Sequence, residues 1–262
     1  MKLPKYKEIF MATEGTLKKY SSFSDSKFKN NFGKFKTFEK RTLSDDDYYD
    51  ITLTVVFASG FKAGTVSKKK AVIKNHFPNY KIVSTYGNKE VSRIMKDTDM
   101  IKNRKKIVAC INNAKRFKEI ISQYGSFNNY VASFKPKESF ENLMLFKEEI
   151  EYKFDYLGGI TAYHFMTDIG LSVLKPDRVI ARIFKRLGLI ENPKQKLKTV
   201  IQGLKFSEAT QLPIRYIDII FVKYGQSGKE KNFGLEDGIC LEVNPKCSIC
   251  GIKKFCTEYK KF

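Results

Sequence analysis

The chain has 262 residues and carries 49 Lys and Arg against 28 Asp and Glu, a formal net charge of +21. This length is enough to bury a hydrophobic core as one large domain or as two smaller lobes. The basic residues are spread along the whole sequence, which indicates a polyanionic partner, nucleic acid before membrane. The N-terminus lacks the apolar run of a signal peptide, so we expect a cytoplasmic protein rather than a secreted one.

The elements predicted along the chain are helices. Residues 1–44 are expected to form a helical, basic N-terminal extension, with a polar connection over 20–44. Residues 44–59 begin with a Ser-Asp cluster that can cap a helix and become wholly apolar, which predicts a buried helix, although the stretch ITLTVV favours a strand in isolation. Residues 103–121 have apolar side chains at three- and four-residue steps, typical of an amphipathic helix. Further helices are predicted near 66–76, 89–97, 126–134, 138–153, 160–171, 177–188, 194–205 and 208–224.

No run of residues alternates as a strand does, so the predicted fold class is all-α. After the N-terminal extension we expect a helical core over 45–224 and a C-terminal loop over 225–262. The most apolar segment, 156–174, contains His164, Asp168 and a Gly-Gly pair, which favours a buried core segment over a membrane span.

The segment 154–189 is predicted to form a helix, a tight glycine turn, a second helix, a short loop and a further helix that begins near Asp177. Gly158 and Gly159 permit backbone conformations closed to other residues, and they let N–H groups approach a phosphate. Taken alone, a glycine pair is usually a turn, and Asp177 is a helix N-cap.

Four of the five cysteines lie within seventeen positions, with the spacing C-x6-C-x2-C-x5-C. This clustering favours a metal site in a reduced protein over a disulfide scaffold, and the isolated Cys110 is predicted to be a core residue. Spacing alone leaves iron–sulfur and zinc equally open. The four predicted ligands are Cys240, Cys247, Cys250 and Cys256.

The motif L-x-G-G-x-T-A, with an aspartate sixteen residues after Thr161, resembles the helix-hairpin-helix DNA glycosylase superfamily. The resemblance implies a two-lobed fold with an active-site cleft between the lobes. It also implies that the hairpin amides of Leu157, Gly158, Gly159 and Thr161 bind a DNA phosphate, together with a monovalent cation. Asp177 matches the aspartate that activates water or stabilises the sugar cation while the base leaves.

Residues 240–256, which we call the cysteine segment, include NPKCSIC. This segment looks like the C-terminal [4Fe–4S] loop of the endonuclease III and adenine-mismatch glycosylase branch. The resemblance implies that the four cysteines hold a [4Fe–4S] cluster with a structural and DNA-docking role. It also implies that nearby basic residues face the DNA backbone. These residues are Lys246, Lys253 and Lys254.

Residues 50–134 are similar to 3-methyladenine DNA glycosylase I, notably FKAGTVSKKK at 61–70, MIKNRKKIVACINNAKRF at 100–117 and GSFNNYVASF at 125–134. The sequence departs from that family at two positions. Ser59 stands where the family has an acidic residue that reads the alkylated base, and Ser67 replaces a tryptophan. The resemblance therefore supports a shared fold more strongly than it supports recognition of 3-methyladenine.

The reaction type is predicted from one hairpin position. Glycosylases that also cut the strand use a hairpin lysine as a Schiff-base nucleophile, and the matching residue here is Ile160. We therefore expect a monofunctional glycosylase of base excision repair that removes a damaged base, with alkylated purines first. The alternatives are a bifunctional glycosylase/lyase that uses another lysine, such as Lys153 or Lys175, and a non-catalytic zinc-containing DNA-binding protein.

Five further side chains are candidates for the base pocket or for the wedge that fills the vacated space in the duplex. Core or surface placement is at least as good an interpretation for Phe61, Lys62, Tyr163 and His164, and Ser59 is the fifth candidate. The expected partner is double-stranded DNA with a damaged base, bound by a monomer.

Overall fold

The computed structural model of the chain describes residues 5–61 and 63–259, with side chains throughout except at residues 63–65. Within these ranges the structure has thirteen α-helices and no β-strand, which confirms the predicted all-α class. The helices are α1 (Tyr6–Tyr20), α2 (Asp25–Gly33), α3 (Asp45–Ala58), α4 (Ala63–His76), α5 (Tyr80–Val83), α6 (Asn88–Lys96), α7 (Arg104–Tyr124), α8 (Phe127–Ser133), α9 (Phe140–Lys153), α10 (Ile160–Asp168), α11 (Arg178–Arg186), α12 (Lys196–Thr210) and α13 (Ile214–Gly225).

The β-branched stretch ITLTVV is helical because its N-terminus is capped and its side chains are buried. Ser44 Oγ accepts the N–H of Asp47 at 3.2 Å, and the Asp47 carboxylate accepts the N–H of Ser44 at 2.8 Å. This capping box satisfies two backbone groups at the start of α3. Val55, Val56 and Phe57 are fully buried, so packing outweighs the local preference for a strand.

The chain divides into two compact units. The central unit is Thr42–Leu171, and the terminal unit combines Met1–Arg41 with Ser172–Phe262. The sequence predicts three consecutive segments instead, over 1–44, 45–224 and 225–262, and those boundaries stay a prediction.

In the central unit, the long helix α7 packs against α3, α5, α6 and α8. Its core is aromatic. The rings of Phe117 and Phe127 are stacked with their centroids 4.3 Å apart, and Phe154 lies edge-on to both. Cys110 is fully buried in this core, as predicted from the sequence.

In the terminal unit, α13 packs against α1, α2, α11 and α12. Phe206 and Phe221 meet at its centre with ring centroids 4.9 Å apart. The cysteine segment packs on α1 through Gly251, where an added Cβ would lie 2.1 Å from Thr16 Oγ1. The N-terminal helix is therefore part of this unit's core.

Predicted and observed helices differ most at two places, and the short helix α5 was not predicted. Asp25–Gly33 is helical although a polar connection is predicted there, because Ser24 caps it and Phe28 and Phe32 are buried. The boundary predicted between 205 and 208 lies instead at residues 211–213, where Gln211 adopts a left-handed conformation and Pro213 precedes the next helix.

Among the described residues, no helix is long and apolar enough to cross a membrane. The apolar segment 156–174 is predicted to be a core segment, and Leu157, Phe165 and Met166 within it are fully buried. It contains only one helix, Ile160–Asp168, of 9 residues.

Candidate functional site

Asp177 is the N-cap of α11. Its Oδ1 accepts the backbone N–H groups of Val179 at 2.9 Å and Ile180 at 3.0 Å. Its other carboxylate oxygen, Oδ2, lies 3.7 Å from Lys175 Nζ. The helix dipole, two N–H donors and a nearby ammonium group all stabilise negative charge at this position. The carboxylate is held in one orientation, while its side chain remains partly exposed.

Asp218 of α13 fixes the loop that carries Asp177. Its Oδ1 accepts the backbone N–H of Lys175 at 3.2 Å, and its Oδ2 pairs with Arg215 Nη1 at 2.5 Å. Burial raises the pKa of the Asp218 carboxyl, whereas the charges of Arg215 and Lys175 lower it. Asp218 is absent from the residues predicted from the sequence, although a single acidic side chain within the apolar run IDIIFV indicates a buried polar contact.

The glycine hairpin has the sharp geometry that its sequence predicts. Gly159 has φ 60° and ψ −119°, a conformation that favours glycine, and Thr161 Oγ1 donates to the carbonyl of Gly158 at 2.7 Å. The N–H of Gly159 donates to the Glu151 carboxylate, an acceptor that the sequence did not reveal. Leu157 is fully buried, so its side chain belongs to the core and only its backbone faces the hairpin.

Lys153 and Lys175 are the predicted candidates to substitute for Ile160. Lys153 pairs with Glu149 at 2.6 Å, and its ammonium group lies 5.3 Å from the centre of the Tyr130 ring. The Lys153 ammonium group is therefore held by side chains of the central unit. Lys175 lies in the same loop as Asp177, in the terminal unit, and its ammonium group lies 3.7 Å from Asp177 Oδ2.

The pocket and wedge candidates are placed in different environments. Phe61 is exposed, whereas Tyr163 is buried and donates its hydroxyl to Met144 Sδ at 3.8 Å; burial raises the pKa of Tyr163. His164 Nε2 lies 3.2 Å from Asp168 Oδ2 on the same helix. Lys62 lies outside the described residues.

Ser59 ends α3, and its carbonyl accepts Lys106 Nζ. Lys106 is a buried cation that the sequence did not reveal. Its ammonium group also donates to the carbonyl of Phe57 at 3.0 Å and lies 4.7 Å from the centre of the Phe61 ring. Burial lowers the pKa of Lys106. It therefore satisfies the last carbonyls of α3 and supports the turn on which Ser59 and Phe61 lie.

The four clustered cysteines are brought together around one cavity. Arg186 Nη1 donates to Cys240 Sγ at 3.2 Å, and the Tyr224 hydroxyl lies 3.2 Å from Cys250 Sγ. Burial raises the pKa of the thiols of Cys240, Cys247 and Cys256, and the charge of Arg186 opposes this shift. A metal would bind these cysteines as thiolates, so binding would release the thiol protons.

Four cysteine thiols line this cavity, and four thiolates are the donor set of both a [4Fe–4S] cluster and a tetrahedral zinc site. Among the described residues, no three His, Cys, Asp or Glu side chains are close enough together to hold one metal ion. The residue types around the cavity therefore fit either group.

The three lysines of the cysteine segment lie on the surface around this cavity. Lys253 and Lys254 are exposed and follow the buried Ile252, and Lys246 is partly exposed. The backbone N–H of Lys246 donates to the carbonyl of Ile239 at 2.9 Å, which ties the segment to the chain that follows α13. These ammonium groups are accessible to a polyanion.

Known proteins match this chain in sequence and in structure. The family model for methyladenine glycosylases matches residues 36–178, more than half of the chain. The 8-oxoguanine DNA glycosylase of Thermotoga maritima superposes with a TM-score of 0.53 at 15% identity, over 82% of this chain and 95% of that one. The 8-oxoguanine DNA glycosylase of Methanocaldococcus jannaschii has a TM-score of 0.51 at 14% identity, over 83% and 95%.

A third similarity is to 3-methyladenine DNA glycosylase I from Staphylococcus aureus. It has 18% identity and a TM-score of 0.46, over 60% of this chain and 92% of that chain. That TM-score is too low to carry an argument about fold. The other two structures show that this chain has a DNA glycosylase fold.

Proposed function

Because the chain belongs to the methyladenine glycosylase family, we propose that it is a monofunctional enzyme that removes an alkylated purine from DNA by hydrolysis. The chain is a DNA N-glycosylase of base excision repair, and DNA is its partner. What we propose beyond this is which base is removed, which residue is catalytic and that the enzyme does not cut the DNA strand. The non-catalytic alternative is not retained, because the family is enzymatic.

The observation that carries the mechanism is the position of Asp177. A carboxylate that accepts two helix N–H groups is already stabilised as an anion before substrate arrives. As the N-glycosidic bond breaks, its electron pair leaves with the base and positive charge develops on the sugar. A fixed anion stabilises that charge, and the water that adds to C1′ gives its proton to the carboxylate.

Hydrolysis is favoured over strand cleavage because Ile160 cannot form an imine with the sugar. Lys153, one substitute, is engaged by Glu149. A specific observation favours a second candidate function, a glycosylase/lyase that uses Lys175, because its ammonium group lies 3.7 Å from Asp177 Oδ2. That ion pair would have to break before the amine attacks.

The proposed substrate class follows from the family. The Staphylococcus aureus protein is named for 3-methyladenine, and the two structures of the same fold are named for 8-oxoguanine. An alkylated purine has a labile glycosidic bond, so the departure of the base needs less assistance from the protein. Ser59 in place of an acidic residue predicts weaker discrimination among alkylated bases than that family shows.

The proposed cofactor is a [4Fe–4S] cluster held by Cys240, Cys247, Cys250 and Cys256. When bound, the cluster supplies a rigid cross-link of the C-terminal segment and no step of the hydrolysis. Arg186 and Tyr224 orient two of the sulfurs. Lys246, Lys253 and Lys254 on the same segment, and the hairpin backbone at 157–161, are the proposed DNA contacts. They position the backbone without reading its sequence.

The test is base release from duplexes that each contain one modified base, under single-turnover conditions. Asp177→Asn is expected to slow release of the preferred base roughly 10²- to 10³-fold, because one fixed charge at the transition state is removed, while duplex affinity is kept. Asp25→Asn, which removes an exposed carboxylate of the same unit, is the matched control. Unchanged release in Asp177→Asn would reject this residue as catalytic.

Borohydride reduction of the same reactions separates the two candidate functions. We expect no covalent adduct between protein and DNA. An adduct that disappears in Lys175→Met would establish the lyase instead.

A further inference from the structure

A segment of the terminal unit carries a concentration of positive charge that the proposed function does not use. Five lysines lie within residues 27–40, and all are exposed. We refer to residues 27–40 as the basic segment; its lysines are Lys27, Lys29, Lys34, Lys36 and Lys40. Glu39 is the one acidic residue within it.

The charges of these lysines are not paired with acidic side chains in the described part of the chain. Among the residues that the structure describes, none of the five lysines forms an ion pair. Lys27 and Lys36 instead lie over aromatic rings, 4.4 Å from the centre of Phe23 and 4.5 Å from that of Tyr216. Cation–π interactions hold an ammonium group in place but leave its charge intact.

Some lysines of the same unit are paired with acidic side chains. Lys5 pairs with Glu8 at 2.8 Å, Lys198 with Glu191 at 3.1 Å and Lys229 with Glu236 at 2.6 Å. The basic segment differs from these positions because it has five lysines and one acidic residue within a short stretch of the chain.

The basic segment is anchored rather than loosely attached. Phe28, Phe32 and Phe35 are buried in the core of the terminal unit. Arg215 of α13 lies over the ring of Phe35, with its guanidinium carbon 5.5 Å from the centroid. Since the backbone is fixed by these rings, a ligand that binds the lysines restricts little further conformational freedom.

The basic segment also contacts the loop that carries Asp177. The Ser172 hydroxyl donates to Glu39 Oε2 at 3.3 Å, at the start of that loop. Farther along, Asp218 joins Arg215 to the backbone N–H of Lys175. The basic segment and the proposed catalytic loop are thus joined by two sets of side-chain interactions in one unit.

We propose that the basic segment binds phosphates of the DNA backbone beside the nucleotide on which Asp177 acts. Several exposed, unpaired ammonium groups on a fixed backbone match the spaced negative charges of a duplex, and binding releases the counterions of the DNA. The position of this phosphate site rests on the proposed role of Asp177. The site itself requires only that the partner is DNA.

The test is the salt dependence of binding to an undamaged duplex, with the full chain. The variant Lys34→Gln/Lys36→Gln/Lys40→Gln is expected to bind at least tenfold more weakly at about 0.1 M salt. The slope of log affinity against log salt should fall by about 0.9 for each phosphate that the variant no longer binds.

The matched control is Lys5→Gln/Lys198→Gln/Lys229→Gln, which removes the same formal charge from paired lysines. An unchanged slope in the first variant, or an equal weakening in both variants, would refute the phosphate site. Undamaged DNA undergoes no chemistry, so this result is independent of whether Asp177 proves catalytic. A weakened duplex affinity in the first variant alone supports the proposal even if base release by the parent is not found.

Discussion

At the level of single residues, the buried carboxylate of Asp218 shows how the catalytic loop is supported. It contacts the N–H of Lys175 and the guanidinium of Arg215, and it is almost fully buried. Asp218→Ala leaves Arg215 without this counter-charge. Removing one partner of a buried pair costs about 3–5 kcal/mol, so the free energy of unfolding should fall by that amount in urea titrations.

The control for Asp218 is a pair of substitutions. Asp218→Leu combined with Arg215→Met removes both charges, and it should be less destabilising than Asp218→Ala, because no buried charge is left unpaired. If Asp218→Ala costs no more than Asp25→Ala at the surface, the carboxylate does not support the loop.

Among the structural elements, the hairpin depends on one glycine. Gly159 has a φ of 60°, whereas the neighbouring Gly158 has no positive φ and an added Cβ there meets nothing within 4 Å. Gly159→Ala should therefore destabilise the fold by about 1–3 kcal/mol, and Gly158→Ala by much less. Denaturant midpoints of the two variants check this. Equal midpoints would show that the left-handed turn is not required.

The hairpin also shows how an element depends on residues outside its own motif. Its glycine pair is visible as a turn, but the carboxylate that accepts the Gly159 N–H comes from Glu151 on the preceding helix α9. Glu151 also pairs with Lys147 at 2.6 Å. A phosphate that takes this N–H must displace the carboxylate, so hairpin affinity depends on a residue that the motif does not include.

For the molecule as a whole, the cysteine segment closes the terminal unit onto its N-terminal helix. Cys247→Ser is expected to abolish iron binding and visible absorption and to lower the free energy of unfolding, because a cluster ligand is removed. Iron analysis of the purified protein should give about four iron atoms per chain in the parent.

Cys110 supplies the matched control for the cluster. It is fully buried in the central unit and is not one of the four proposed ligands. Cys110→Ala should keep the iron content while costing some stability through the cavity that it leaves. Zinc in place of iron, or full iron content in Cys247→Ser, would contradict the cluster assignment.

The helical class, most helix positions and the N-cap role of Asp177 could be predicted from the amino-acid order alone. These features follow from interactions within a few residues, such as caps, apolar periodicity and glycine turns, which a linear sequence displays directly. The cysteine spacing likewise marked four thiols as a candidate ligand set. Ile160, compared with the hairpin lysine of the family that the sequence resembles, predicts hydrolysis without strand cleavage, and this stays a prediction.

Contacts between residues that are far apart in the sequence became visible only in the folded chain. Residues 5–41 pack with 172–259 because the apolar faces of α1 and α2 cover α12 and α13, a contact between segments more than 130 residues apart. Asp218, which accepts the N–H of Lys175, and Lys106, which donates to the carbonyl of Phe57, have distant partners of the same kind. Their partners are backbone groups or side chains exposed by the path of another segment, so their local sequence gave little indication of what they would bind.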